Sequence, residues 1–229
     1  MLRDDGVSYG DYLEQITYLI FLKMAFEYSQ PPYKRDVGIP EEYNWKSLTD
    51  RTGAELESHY LALLRDLSMR KGLLGQIFAK AQNKIQDPAK LSRLVAMIDE
   101  TKWTRLGVDV KGDIYEGILE KNAEDTKSGA GQYFTPRALI QTIVECVRPQ
   151  ADTLIADPAA GTGGFLLAAY SYLEKHANLN TDQKERLKKG TFFGNEIVAN
   201  TRRLCLMNLF LHGIGEMDGD SPISSDDSL

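Results

Sequence analysis

Leu154-Ile155-Ala156-Asp157-Pro158-Ala159-Ala160-Gly161-Thr162-Gly163-Gly164-Phe165 is the stretch that decides the fold. An apolar run, expected as a strand over 153–156, leads into an acid. Small residues and glycines follow, and then apolar residues at helical spacing. Strand, tight turn and helix in that order form the first βα turn of a doubly wound sheet, where ligands sit at the carboxyl ends of the strands. Gly161 and Gly163 let the backbone turn sharply and approach a ligand closely. The start of the helix offers unpaired N–H groups and the positive end of a dipole, which suits a carboxylate or a phosphate. The run is not the dinucleotide fingerprint, because position 166 is Leu where a third glycine is required. It is not a P-loop either, because no Gly-Lys-Ser/Thr follows.

Outward from this turn, strand and helix alternate. The pattern predicts helices over 137–147, 162–176, 181–189 and 198–212 and a second strand over 191–193, and alternation of this kind means a parallel sheet covered by helices. Thr191-Phe192-Phe193-Gly194-Asn195-Glu196 puts Glu196 at the end of the second strand, where an acid accepts hydrogen bonds from ribose hydroxyls. Before the sheet stands Gly131-Gln132-Tyr133-Phe134-Thr135-Pro136-Arg137. Thr135 as N-cap with Pro136 in the first position explains a helix start. It leaves Tyr133 and Phe134 unexplained, and two aromatics in a loop of small residues suit stacking on a purine ring.

Residues 1–130 read differently. Tyr12, Leu13, Ile16, Leu19, Ile20, Met24 and Tyr28 recur at spacings of three and four, predicting a helix over 9–28. Further helices are expected over 54–69, 73–85, 89–98 and 113–122, the one over 89–98 entered through Asp87-Pro88, and residues 29–50 read as a loop. The small-residue joint Ser128-Gly129-Ala130-Gly131 divides a domain over 1–128 from one over 129–229.

The 229 residues carry 33 acidic and 27 basic side chains, a net charge of −6, and 42% are hydrophobic. That composition excludes disordered and fibrous classes. The longest apolar stretch, 18–26, is broken by Lys23 and falls short of the roughly 20 residues of a membrane span. No secretory signal opens the chain, and Cys146 and Cys205 lack partners at metal spacing, so a reduced, cytoplasmic setting and no metal site are expected. Each half of the chain is slightly acidic, so phosphate contacts would come from a basic partner or further sequence. Arg202-Arg203 reads as a solvated helix face.

GQYFTPR, DPAAGTGGF, GNEI and TRRLCLMNLFLHGI, in that order between Gly131 and Gly213, resemble the methyltransferase subunit of type I restriction–modification systems. The resemblance implies a mainly α N-terminal helical domain followed by a partial α/β doubly wound (Rossmann-like) S-adenosylmethionine-dependent methyltransferase domain. It implies methylation of adenine N6 in DNA at specific sites, with DNA, a specificity subunit and a restriction subunit as partners and no membrane. Carried onto the matching positions, Gln132, Tyr133, Phe134, Thr135, Pro136 and Arg137 would contact the cofactor. Thr162, Gly163 and Gly164 would hold its methionine end, Asp157 and Gly161 would shape the pocket, and Glu196 would take the ribose hydroxyls. Asp227 would lie near the adenine ring.

One departure limits the resemblance. The family's catalytic Asn/Asp-Pro-Pro-Phe/Tyr follows the fourth strand, where oxygen acceptors orient the weakly nucleophilic amino group and the aromatic ring stacks on the flipped base. No such motif follows Glu196, so it is expected beyond Leu229. The chain is then an N-terminal fragment, inactive alone. Gln30-Pro31-Pro32-Tyr33 is similar only as a string and reads as the stop of the first helix. A methyltransferase acting on RNA or protein, or a docking module without catalysis, stays open as an alternative.

Overall fold

The computed structural model describes residues 9–106, 135–216 and 219–227. The helix expected over 113–122 lies outside them, as do Gln132, Tyr133 and Phe134. The described residues form two compact units, one from 9–70 and 78–106, the other from 71–77 with 135–227.

The first unit is helical. α1 (Tyr9–Ser29) buries Tyr18, Leu19, Phe21, Leu22 and Ala25 together, so it is covered on several faces, as expected of a helix that is apolar nearly all round. Gln15, Lys23 and Glu27 in this helix are buried as well, and each finds partners, which removes most of the cost of burying them. Gln15 Nε2 donates to the Gln82 carbonyl at 2.9 Å, and Lys23 Nζ donates to Asp99 Oδ1 at 2.6 Å. Glu27 accepts from the Thr104 N–H and hydroxyl, both at 2.8 Å. α3 (Gly53–Ser68) turns Leu56, Tyr60, Leu63, Leu64 and Leu67 inward. α5 (Pro88–Asp99) starts where Asp87 accepts the Ala89 N–H at 2.8 Å, with Pro88 in its first turn.

Two expectations fail between residues 29 and 85. The loop over 29–50 contains a 3-10 turn (Glu41–Tyr43) and a short helix, α2 (Trp45–Thr49). Asn44 caps it by accepting the Ser47 N–H at 3.0 Å, and Trp45 and Leu48 are fully buried. One turn with two apolar residues is too short to show a periodicity. The helix expected over 73–85 stops early: α4 is Gly72–Ile77, and Lys80 adopts a left-handed φ of 57°. Gln15 holds both the Gln82 carbonyl and the Lys84 N–H, so side-chain hydrogen bonds draw 82–84 out of the helix.

The second unit is α/β. α6 (Arg137–Val147) precedes β1 (Ile155–Asp157), then come α7 (Gly164–His176), α8 (Thr181–Lys189), β2 (Phe192–Asn195), α9 (Ala199–Leu211) and β3 (Ile223–Ser224). The strands lie in the order β1-β2-β3, all parallel, with Asp157 opposite Gly194 and Gly194 opposite Ile223. Parallel neighbours require crossover connections, which α7, α8 and α9 supply. α4 belongs to this unit and packs on α9. β3 was not expected, being two residues long inside an acidic segment. Arg203 is a further correction: it is 7% exposed, because α9 is buried on almost every side. Among the described residues no helix is long and apolar enough to cross a membrane.

Candidate functional site

β1 delivers the chain to the turn with Asp157 as its last residue. Asp157 Oδ1 accepts the Ala159 N–H at 3.1 Å, folding the turn back on its own start. The Ala160 N–H donates to the Asn195 carbonyl at 2.9 Å and so ties the turn to the end of β2. Gly161 (φ 55°) and Gly163 (φ 87°) are both left-handed, a conformation that costs an L-residue about 1–2 kcal/mol. Gly163 is the N-cap of α7, and no side chain caps that helix.

The glycines do two different jobs. A β-carbon on Gly163 would stand 3.0 Å from Cys205 Sγ, and one on Gly164 3.0 Å from Ile140 Cδ1. On Gly194 it would meet Ala160 Cβ, the Asp157 carbonyl and Ile223 Cδ1, each at 3.0 Å. These three permit close packing of α6, α9 and the strand ends around the turn. Gly161 has nothing within 4 Å of that point, so the backbone there borders open space.

Acids end each strand. Asp157 closes β1, Glu196 follows Asn195 at the end of β2, and Asp227 stands three residues past β3. Glu196 Oε1 accepts the Val198 N–H at 2.7 Å just ahead of α9, and its own N–H donates to the Ser224 carbonyl at 3.0 Å. Burial pushes the Cys205 thiol up, and the charges of Asp157 and Glu196 add to that. Asp227 is exposed; the turn before it is closed by the Ser224 hydroxyl donating to Asp226 Oδ2 at 2.6 Å.

The upstream run reaches the same place. Ile140, one turn into α6 from Arg137, packs on Gly164. The helix start differs from expectation by one residue. Pro136 is the N-cap (φ −54°, ψ 134°), not the first helical residue, and Thr135 lies outside the helix. The extended ψ of Pro136 delays the helix to Arg137, and its carbonyl accepts from Leu139 and Ile140. Gln30-Pro31-Pro32-Tyr33 lies in the other unit, just after α1, with Tyr33 edge-on to Tyr28 at 5.3 Å.

Two residues within the runs GNEI and TRRLCLMNLFLHGI gain a role only from the fold. Gly194 looks like an ordinary strand residue, yet three atoms would crowd a β-carbon placed there. Asn208 lies 46 residues from Thr162 and donates from Nδ2 to its carbonyl at 3.0 Å. Its signal is a single amide within the apolar run Leu206-Met207-Asn208-Leu209-Phe210.

The sequence matches the N-6 DNA Methylase family over residues 107–229, more than half of the chain, and the HsdM N-terminal domain over residues 1–98. It is 42% identical over 238 aligned residues to the type I restriction enzyme StySPI methylase subunit of Salmonella potsdam, covering 100% of this chain and 44% of that one. To the EcoKI methylase subunit of Escherichia coli strain K12 it is 40% identical, with the same coverage. The chain thus spans less than half the length of these relatives. A crystal structure of a modification subunit from Vibrio vulnificus YJ016 shares the fold, with a TM-score of 0.80 at 24% identity over 98% of this chain and 52% of that one. The βα turn, the helical first unit and these matches agree: the chain belongs to the N-6 DNA Methylase family, among the methylase subunits of type I restriction enzymes.

Proposed function

We propose that the Asp157–Gly164 turn and Glu196 bind S-adenosylmethionine, and that the chain is part of a subunit that methylates adenine N6 in DNA. The observation that carries this reading is the open backbone at Gly161 between two strand-end acids, in a chain of the N-6 DNA Methylase family. The residues fit the cofactor. α7 begins without a side-chain cap, so its first N–H groups suit the carboxylate of the methionine end. Among the described residues Glu196 has one oxygen engaged, by Val198, and the other is left for ribose hydroxyls. In this reading Gln132, Tyr133, Phe134, Thr135, Pro136 and Arg137 contact the cofactor, and Asp227 is near its adenine ring. The bound cofactor supplies the methyl group; this chain binds and orients it.

The base-handling Asn/Asp-Pro-Pro-Phe/Tyr loop is assigned to sequence beyond Leu229, so the 229 residues do not transfer methyl groups unaided. The partners are DNA, a specificity subunit that reads the site and a restriction subunit, in the cytoplasm. Calorimetry with S-adenosylmethionine tests the cofactor reading. Binding is expected, weakened about tenfold or more in Glu196→Ala, the equivalent of about 1.4 kcal/mol. No binding by the full-length subunit would refute it. Label transfer from S-adenosylmethionine, with DNA, RNA and protein offered in turn, tests the substrate; label in RNA or protein alone would overturn the DNA assignment.

A further inference from the structure

We infer that Asn208 is a positioning residue for the cofactor: it holds the Thr162–Gly163 peptide in the one orientation that leaves the start of α7 open to an anion. This rests on the proposed cofactor site. The peptide between Thr162 and Gly163 is held from both sides. Its carbonyl accepts Asn208 Nδ2 at 3.0 Å, and its N–H donates to the Ala160 carbonyl at 2.7 Å. A peptide next to glycine rotates easily between its two turn orientations. Rotation here would aim the Thr162 carbonyl away from α9 and present a negative dipole where a carboxylate is to bind. Asn208 locks the carbonyl inward.

Stability alone does not account for an amide at this place. Asn208 is 2% exposed, and Cys205, Leu206, Met207, Leu209, Phe210 and Leu211 around it in α9 are all buried. Its Oδ1 is buried without a hydrogen-bond partner among the described residues. A half-satisfied buried amide stabilises less than a leucine of similar size would. The donor on Thr162 is what the amide offers and leucine does not.

The test uses the full-length methylase subunit assembled with its DNA-reading partner. Asn208→Leu removes the donor at similar volume. Its cofactor KM is expected to rise roughly tenfold, as for one lost hydrogen bond, with kcat nearly unchanged and Tm equal or higher. Asn208→Asp keeps the shape but donates only when protonated. Its cofactor KM relative to wild type is expected to climb between about pH 5.5 and about pH 8.5, the range in which buried carboxyls titrate. An unchanged cofactor KM in Asn208→Leu overturns the inference. Should that variant not fold, a pH-independent KM ratio in Asn208→Asp overturns it. Absence of cofactor binding by the wild-type subunit is a separate result, which removes the reading of the site itself.

Discussion

Cys205 Sγ lies 3.0 Å from the point where a β-carbon on Gly163 would stand. Gly163 is also left-handed, so Gly163→Ala combines backbone strain with a displaced α9. A loss of about 3 kcal/mol is expected in urea unfolding, strain plus overpacking. Gly161→Ala bears the strain alone and should lose about 1 kcal/mol. Equal losses in the two variants would show that α9 does not press on the turn.

The two thiols should react in sequence. Cys146 is exposed and Cys205 is fully buried, and only a thiolate reacts readily. Iodoacetamide followed by peptide mass spectrometry should modify Cys146 first and Cys205 only on unfolding. The raised thiol of Cys205 has a second consequence. A group that holds its proton more tightly when folded stabilises the fold below its unfolded value of about 8.5. That contribution is lost as pH rises above it. Wild type should therefore lose more stability than Cys205→Ala between about pH 8 and about pH 10.

In the helical unit, Tyr60 is fully buried and its hydroxyl has no hydrogen-bond partner among the described residues. Burial pushes that phenol up from its ordinary value. Tyr60→Phe removes an unsatisfied polar group without opening a cavity. It should be neutral or stabilise by up to about 1 kcal/mol. Leu64→Ala, from the same buried face, should cost about 2–5 kcal/mol. Thermal unfolding of both decides the matter; a Tyr60→Phe loss as large as that of Leu64→Ala would reveal a partner for the hydroxyl.

Lys23 is 3% exposed, and its main partner Asp99 also accepts the Trp45 indole N–H at 2.8 Å. Asp99→Ala leaves the ammonium with Glu27 at 3.6 Å. About 2 kcal/mol should be lost, less than for a fully buried pair because the Asp99 side chain is half-exposed. Partial burial raises the Asp99 carboxyl, but the hydrogen bonds from Lys23 and Trp45 and the Lys23 charge outweigh it, and the net value is lowered. Its contribution is present above the unfolded value of about 3.9 and fades as pH falls below that. Acid unfolding of Asp99→Asn should accordingly be shallower than that of wild type.

Much of this architecture was legible in local patterns. The strand, the glycine turn and α7 announce themselves because the change of period and the left-handed glycines occur within ten or so consecutive residues. α1, α3 and α5 likewise follow their apolar spacing. What stayed hidden depends on residues distant in sequence. The early end of α4 is imposed by Gln15, β3 exists because β2 offers it an edge, and Asn208 matters because Thr162 is folded against it. Pairing across tens of residues leaves no period to read.

The membership of α4 in the second unit alters what counts as a separable piece. The chain passes into that unit at residue 71, leaves it after 77 and returns only beyond the first unit. A truncation that begins at residue 107, where the N-6 DNA Methylase match starts, would discard α4 and uncover the surface of α9 and Gly215 against which Leu73 packs. Such a piece would be sticky and unstable for reasons unrelated to its chemistry. A methylase unit meant to stand alone needs those seven residues restored, by a linker or as an added peptide.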